Sequence, residues 1–241
     1  MVLTQIVHPT NHNKFIWLNA FALLAFLISG MVDPFAIIMV YFLETIIIGL
    51  IHAYKMNYVG KFSRTQSQVK DQNPIFKTFF FLIHYSFFVA VQSIFVFAIF
   101  SISDNNISEP FNLIANYKYV LSLKGIGYAL CVTFLLLAAQ NYFSFFRTKI
   151  YNYYTVDRLF IQPYLRIFIQ QITVILAGFF IAIFPNGIMT AVLLILIRLF
   201  VDLVGIYINS SEGNLKKLAS RLARNSDQDE REVYEELKNL F

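Results

Sequence analysis

Apolar residues fall in six long runs separated by short polar stretches. A helix needs about 20 mostly apolar residues to cross the ~30 Å hydrocarbon core of a bilayer. The runs lie at about Phe15–Val32, Phe35–Tyr54, Phe76–Ser101, within Tyr119–Phe146, from Pro163 to about Phe184, and at about Ile188–Ile208. The first is short. The fourth is longer than a crossing requires, so it tilts or extends beyond the bilayer. Asp33-Pro34 and Pro185-Asn186-Gly187 read as turns, and Pro163 suits a first helical turn. The pattern predicts an all-α, polytopic membrane protein. Its parts are an N-terminal segment (1–14), a bundle of six transmembrane helices (15–208) and an amphipathic helical tail (209–241).

Composition agrees with this pattern. Hydrophobic residues make up 58% of the chain and charged residues 14%, where a soluble domain carries about a quarter charged. The single cysteine, Cys131, leaves no disulfide framework and no Cys-based metal motif. The apolar run from Phe15 lacks a small-residue cleavage site and reads as a retained helix rather than a signal peptide.

Charge then sets orientation. Lys55, Lys61, Arg64, Lys70 and Lys77 cluster between the second and third runs, and Arg147, Lys149 and Arg158 between the fourth and fifth. Lys216, Lys217, Arg221 and Arg224 open the tail. The alternate loops are nearly free of positive charge, so every even crossing returns to a basic side. The positive-inside rule makes that side, and both termini, cytoplasmic. A net charge of +5 distributed in this way is not a nucleic-acid signal.

In the tail, Leu215, Leu218 and Leu222 share a helical face beside four basic side chains, which suits the anionic lipids of an inner leaflet. Val233, Leu237 and Leu240 line a second, acidic helix. A solvated tail is the plain reading, and a docking site for a protein partner is the alternative.

Polar residues inside the runs carry the candidate chemistry, because an ionisable group in hydrocarbon is costly unless something compensates it. A rise of 1.5 Å per residue sets the depths. Glu44, Gln92 and Arg198 fall near the midplane, His84 and Asp202 in the inner half, and Arg166 near the inner boundary, with Gln170 and Gln171 deeper. Arg198 and Asp202 are four apart and share a face, close enough to pair. So do Arg166 and Gln170, while His84 and Gln92 are two turns apart. Glu44 thus has three candidate partners: Arg198, Arg166, or a proton shared with His84. Each residue also has an ordinary structural reading. Arg166 and His52 can snorkel to the interface, His84 and the glutamines can bond between helices, and Arg198–Asp202 can be a packing pair.

These residues resemble a family of uncharacterised bacterial membrane proteins, domain of unknown function 6498. Its Tyr-Trp-x-Glu-Asn stretch, with a following Ile-Gly and Lys-Met, resembles Tyr41, Phe42, Glu44, Thr45, Ile48, Gly49, Lys55 and Met56. Its Phe-Phe-x-x-His-Tyr-Gly resembles Phe80, Phe81, His84, Tyr85 and Ser86, and its Pro-Tyr-x-Arg-Ile resembles Pro163, Tyr164, Arg166 and Ile167. A basic residue four before Asp-Leu resembles Arg198, Asp202 and Leu203. Where the family pattern has further histidines this chain has Gln92 and Gln171, and glutamine is a poor transition-metal ligand beside imidazole. The resemblance implies a bacterial inner membrane. It groups Glu44, His84, Arg166, Arg198 and Asp202, and it supplies no activity and no cofactor.

Three functions compete on this basis. One is binding or permeation of a small ion or solute through a cytoplasm-facing polar pocket of Glu44, His84, Gln92, Arg166, Gln170, Gln171, Arg198 and Asp202. The second is a structural or accessory membrane protein whose core charges fix helix packing. The third is an intramembrane enzyme or redox protein, for which the chain offers no nucleophile–base pair and no His-Glu-x-x-His motif.

Overall fold

The computed structural model describes residues 10, 13–67, 73–102, 104–107, 109–183, 187–209, 212–226 and 229–240. Among them every regular element is helical. The elements are α1 Lys14–Ile28, α2 Pro34–Phe62, α3 Arg64–Ser67, α4 Pro74–Phe100, α5 Leu113–Ser122, α6 Ile126–Asn141, α7 Val156–Ile183, α8 Gly187–Asn209, α9 Glu212–Ser226 and α10 Glu230–Leu240. A π-helical turn, Tyr142–Phe146, lengthens α6, and a 3-10 turn spans Ile150–Tyr153. Five stretches are long and apolar enough to cross a membrane: Pro34–Phe62, Pro74–Phe100, Ile126–Phe146, Val156–Phe180 and Gly187–Ile208. The first predicted span is the 15-residue α1, about 22 Å long at the helical rise, which falls short of that length.

Two helix starts follow one local rule. Asp33 accepts a hydrogen bond from the Phe35 N–H at 2.8 Å, and Asn73 accepts from Ile75 at 3.1 Å and Phe76 at 3.3 Å. Each cap is followed by a proline at the first helical position, where the missing N–H costs nothing. α2 is the axis of the bundle and packs against α4, α6, α7 and α8. Every residue from Ala36 to Thr45 on it is buried, as expected of a helix apolar on all sides. α4 and α7 run parallel at a constant offset, with Lys77 ion-paired to Asp157, Phe80 stacked on Phe160, and His84 against Tyr164. The C-terminal ends of α2 and α6 and the N-terminal ends of α4 and α7 therefore share one end of the bundle, the basic one.

Three predicted boundaries change. α2 does not end at Tyr54 but continues to Phe62, because Met56 and Val59 are fully buried in a cluster with Phe81 and Leu159. The fourth run is two helices rather than one. It breaks at Leu123–Gly125, where Gly125 adopts φ +79°. There the α1–α2 turn crosses it: Asp33 N–H donates to the Lys124 carbonyl at 3.0 Å, and the Lys124 ammonium donates to the Gly30 carbonyl at 2.8 Å. The fifth span starts at Val156, so Pro163 sits inside α7 rather than in its first turn. Residues 184–186, most of the predicted Pro185-Asn186-Gly187 turn, lie outside the described residues.

An internal proline leaves the carbonyl four residues earlier without its helical donor, here that of Leu159. The His52 imidazole lies close to the Leu159 backbone, whose N–H is already taken by the Thr155 carbonyl. The imidazole is therefore placed beside the orphaned carbonyl instead of snorkelling to the interface. His52→Phe is expected to cost about 1–3 kcal/mol by leaving that carbonyl unpaired. Adding Pro163→Ala restores a donor and should recover most of the loss. A four-protein unfolding cycle in detergent checks this; an equal loss on both backgrounds would break the link between His52 and Pro163.

The tail forms a helical hairpin. Leu215, Ala219 and Ala223 of α9 face Val233 and Leu237 of α10, with Leu218 and Tyr234 at the edge. α9 also packs against α8, and α10 against α7. Of the leucine face read from the sequence, Leu215 is spent inside the hairpin and Leu218 stands at its edge, with Leu222 left exposed. Lys216, Lys217, Arg221 and Arg224 remain on the outside.

Candidate functional site

The depth of the site follows from two helix starts that abut. A Cβ on Gly187 would stand 3.4 Å from the Pro34 side chain, so α2 and α8 begin at one level. Glu44 is ten residues along α2 and Arg198 eleven along α8, about 15 Å from that end, or half the hydrocarbon thickness. Burial of α2 on all sides from Ala36 to Thr45 keeps Glu44 away from lipid, and its side chain is 1% exposed.

Two arginines meet this carboxylate. Arg166 Nη2 lies 2.9 Å from Glu44 Oε1, and Arg198 Nη2 pairs with Glu44 Oε2. Both also reach Asp202: Arg166 Nη1 is 3.5 Å from Oδ1, and Arg198 Nε is 3.7 Å from Oδ2. Two cations and two anions close into a ring of zero net charge. That balance matters in hydrocarbon, where an isolated ion is far more costly than a paired one. The Arg198 guanidinium also sits 5.4 Å from the centre of the Tyr41 ring.

A second layer pins α7 to α2. One turn beyond Arg166, the Gln170 amide donates to the Tyr41 carbonyl and, at 3.3 Å, to that of Phe42, while its oxygen accepts from the Thr45 hydroxyl. From α4, Tyr85 donates to the Thr45 carbonyl at 2.8 Å. Gly49 allows this approach, since a Cβ there would collide with the Tyr85 ring.

A narrow cavity of about 30 Å³ adjoins the ring. All four charged residues line it, together with Asn19 and Ala20 of α1 and Gln140 of α6. About 10–15 Å³ of such space admits one water, so it has room for about two. Exposure grades around the ring. The Arg166 and Asp202 side chains are 36% and 16% exposed, against 1% for Glu44.

Of the residues singled out from the sequence, Glu44, Arg166, Arg198, Asp202 and Gln170 converge here. Arg166 does not snorkel away; it reaches both carboxylates. The others lie elsewhere. His84 Nδ1 is 2.6 Å from the Tyr164 hydroxyl, among Phe80, Phe88 and Phe160, and its hydrogen bond is to Tyr164 rather than to Glu44. Gln92 is buried with neither amide atom hydrogen-bonded, and the Gln171 oxygen is likewise buried without a partner. Sequence reasoning named Tyr41 and Thr45 only as parts of the family motif around Glu44, without a place in the site, and missed Asn19. Among the described residues no three His, Cys, Asp or Glu side chains are grouped to hold a metal ion.

A family model described as "Family of unknown function (DUF6498)" matches residues 3–232. No curated protein and no solved structure matches the chain.

Proposed function

The chain belongs to the family of unknown function DUF6498, and from its own geometry we propose that it is a six-span protein of the bacterial inner membrane that passes a proton or another small ion through the mid-membrane charge ring. The observation that carries this reading is the water-sized cavity walled by all four charged residues. Room for about two waters favours protons, water or a small inorganic ion as the passenger. Exposure rising from Glu44 to Arg166 and Asp202 supports access from the basic end, which is cytoplasmic on the positive-inside rule.

The sixth span in this reading is α1. Phe15 stacks on Phe143 near one end of α6, at 5.7 Å, and Gly30 binds Lys124 just before the other. α1 and its flanking turn therefore run beside the stretch from Lys124 to Phe143, whose helical part, Ile126 to Phe143, is about 27 Å at the helical rise. Both termini then lie on the basic side.

The ring is suited to accept and release one charge. Each arginine has two carboxylates within reach, so a proton arriving on Glu44 gives the ring one positive charge and leaves Asp202 as the partner of both guanidiniums. The competing reading, an accessory protein whose ring only locks helix packing, is favoured by the complete pairing of the four charges.

Flux into proteoliposomes separates the two. Ala20→Leu fills the cavity without touching a charged group. It should cut ion- or proton-driven dye quenching about tenfold, a barrier change of about 1.4 kcal/mol, with monodispersity unchanged. Equal flux in wild-type, Ala20→Leu and protein-free vesicles would leave only the packing role.

A further inference from the structure

Away from the ring, the basic end holds two buried or half-buried cations that have no carboxylate partner among the described residues. Lys55 of α2 is 9% exposed, and its ammonium sits 4.8 Å from the centre of the Phe145 ring. Arg158, near the start of α7, has its guanidinium 4.4 Å from the Tyr154 ring centre, and its Nε is buried without a hydrogen-bond partner. The Phe145 and Tyr154 rings meet nearly edge to face, 5.4 Å apart. The four side chains thus form one row, cation, ring, ring, cation. The nearest acid in sequence, Asp157, is paired with Lys77.

This row depends on local backbone. Phe145 lies in the π-helical turn that ends α6 and is itself buried. Such turns insert one extra residue and re-aim the side chains around it. A ring face returns only part of the hydration that a buried ammonium has lost. The cluster therefore has cationic charge and unsatisfied donors in excess, which is the chemistry that receives an anion.

Depth selects the anion. Lys55 is twenty-one residues beyond Pro34, about 31 Å along α2, the full thickness of the hydrocarbon core. This is the level at which phospholipid phosphates sit, and cationic pockets between helices on the cytoplasmic side suit anionic headgroups. We propose that Lys55 and Arg158, framed by Phe145 and Tyr154, bind a phosphate group at the basic end of the bundle, supplied by an anionic lipid headgroup or by free phosphate. The site is independent of the charge ring and needs only the membrane orientation.

The test titrates the purified full chain in detergent with phosphatidylglycerol, phosphatidylcholine or inorganic phosphate, and counts bound lipid by native mass spectrometry alongside thermal stability. Wild type should prefer phosphatidylglycerol about tenfold, the scale of one charge-assisted contact. Lys55→Met keeps the packing on Phe145 and removes the charge; it and the less buried Arg158→Gln should each lose the preference. Exposed Lys61→Gln, the control, should keep it. In phosphatidylcholine alone Lys55→Met should be no less stable than wild type, and in phosphatidylglycerol it should be less stable, a reversal that a packing defect would not produce. Stabilisation of wild type but of neither variant by inorganic phosphate, without lipid preference, assigns the site to the free anion. A preference that survives in Arg158→Gln, or falls equally in Lys61→Gln, overturns the proposal, as does the absence of both lipid preference and phosphate stabilisation in wild type.

Discussion

Arg198→Met should lower the stability of the folded bundle by about 3–5 kcal/mol, the cost of breaking a buried ion pair from one side. The loss is not that of one contact. It leaves Glu44 and Asp202 facing Arg166 alone, a net negative charge at mid-membrane depth with Glu44 1% exposed. Methionine fills similar space and suits hydrocarbon, so packing contributes little to the effect. Adding Glu44→Gln restores neutrality by leaving Arg166 with Asp202, a pair already 3.5 Å apart. The double variant should regain most of the stability. Unfolding of the four proteins in mixed detergent micelles reads this cycle, and losses that simply add would show that the four charges do not act as one ring.

The second large effect is expected outside the hydrocarbon core, at Gly125. Its φ of +79° is the left-handed region, and a Cβ there would collide with the Met31 carbonyl and approach Val32 Cα at 2.8 Å. Both are backbone atoms of the α1–α2 turn, which is tied to this segment through Asp33 and Lys124. Neither can rotate away as a side chain would. Gly125→Ala should therefore cost about 2–5 kcal/mol, the left-handed strain of an L-residue together with overpacking. Gly127, two residues on, has nothing within 4 Å of a built Cβ. Gly127→Ala should be neutral or slightly stabilising, since alanine is the better helix former. Similar melting temperatures for the two variants would mean that the turn yields freely.

Some of the polar set was legible because depth is a local quantity. Position along a helix, multiplied by its rise, put Glu44 and Arg198 at one level, and the abutting starts of α2 and α8 give the same result. The i, i+4 spacing of Arg198 and Asp202 likewise needs no neighbour. Partner choice is different, because it depends on how each helix is rotated about its own axis. α2 is apolar all round and carries no face that marks an inward direction, so nothing along its sequence distinguishes Arg166 from His84 as the residue meeting Glu44. The structure brings Arg166 in, and the parallel pairing of α4 with α7 commits His84 to Tyr164.

Helix ends divide in the same way. Asp33-Pro34 announced the start of α2 through cap chemistry contained within three residues. The end of α2 was not announced, because Lys55 reads as a loop cation until Phe145, ninety residues away, supplies a ring against it. Pro163 reads as a helix start until α7 is seen to begin seven residues earlier, with His52 beside the carbonyl that the proline orphans. The leucines of α9 share one face in the sequence, and only the structure sets α10 against Leu215 and Leu218. By itself, then, the sequence determined what hydrophobic run length, cap chemistry and charge asymmetry can express: helices, apolar spans, a basic end and the depth of the buried charges. Only the tertiary structure decided which charges meet, because a helix buried on every side leaves its partners to be chosen by packing.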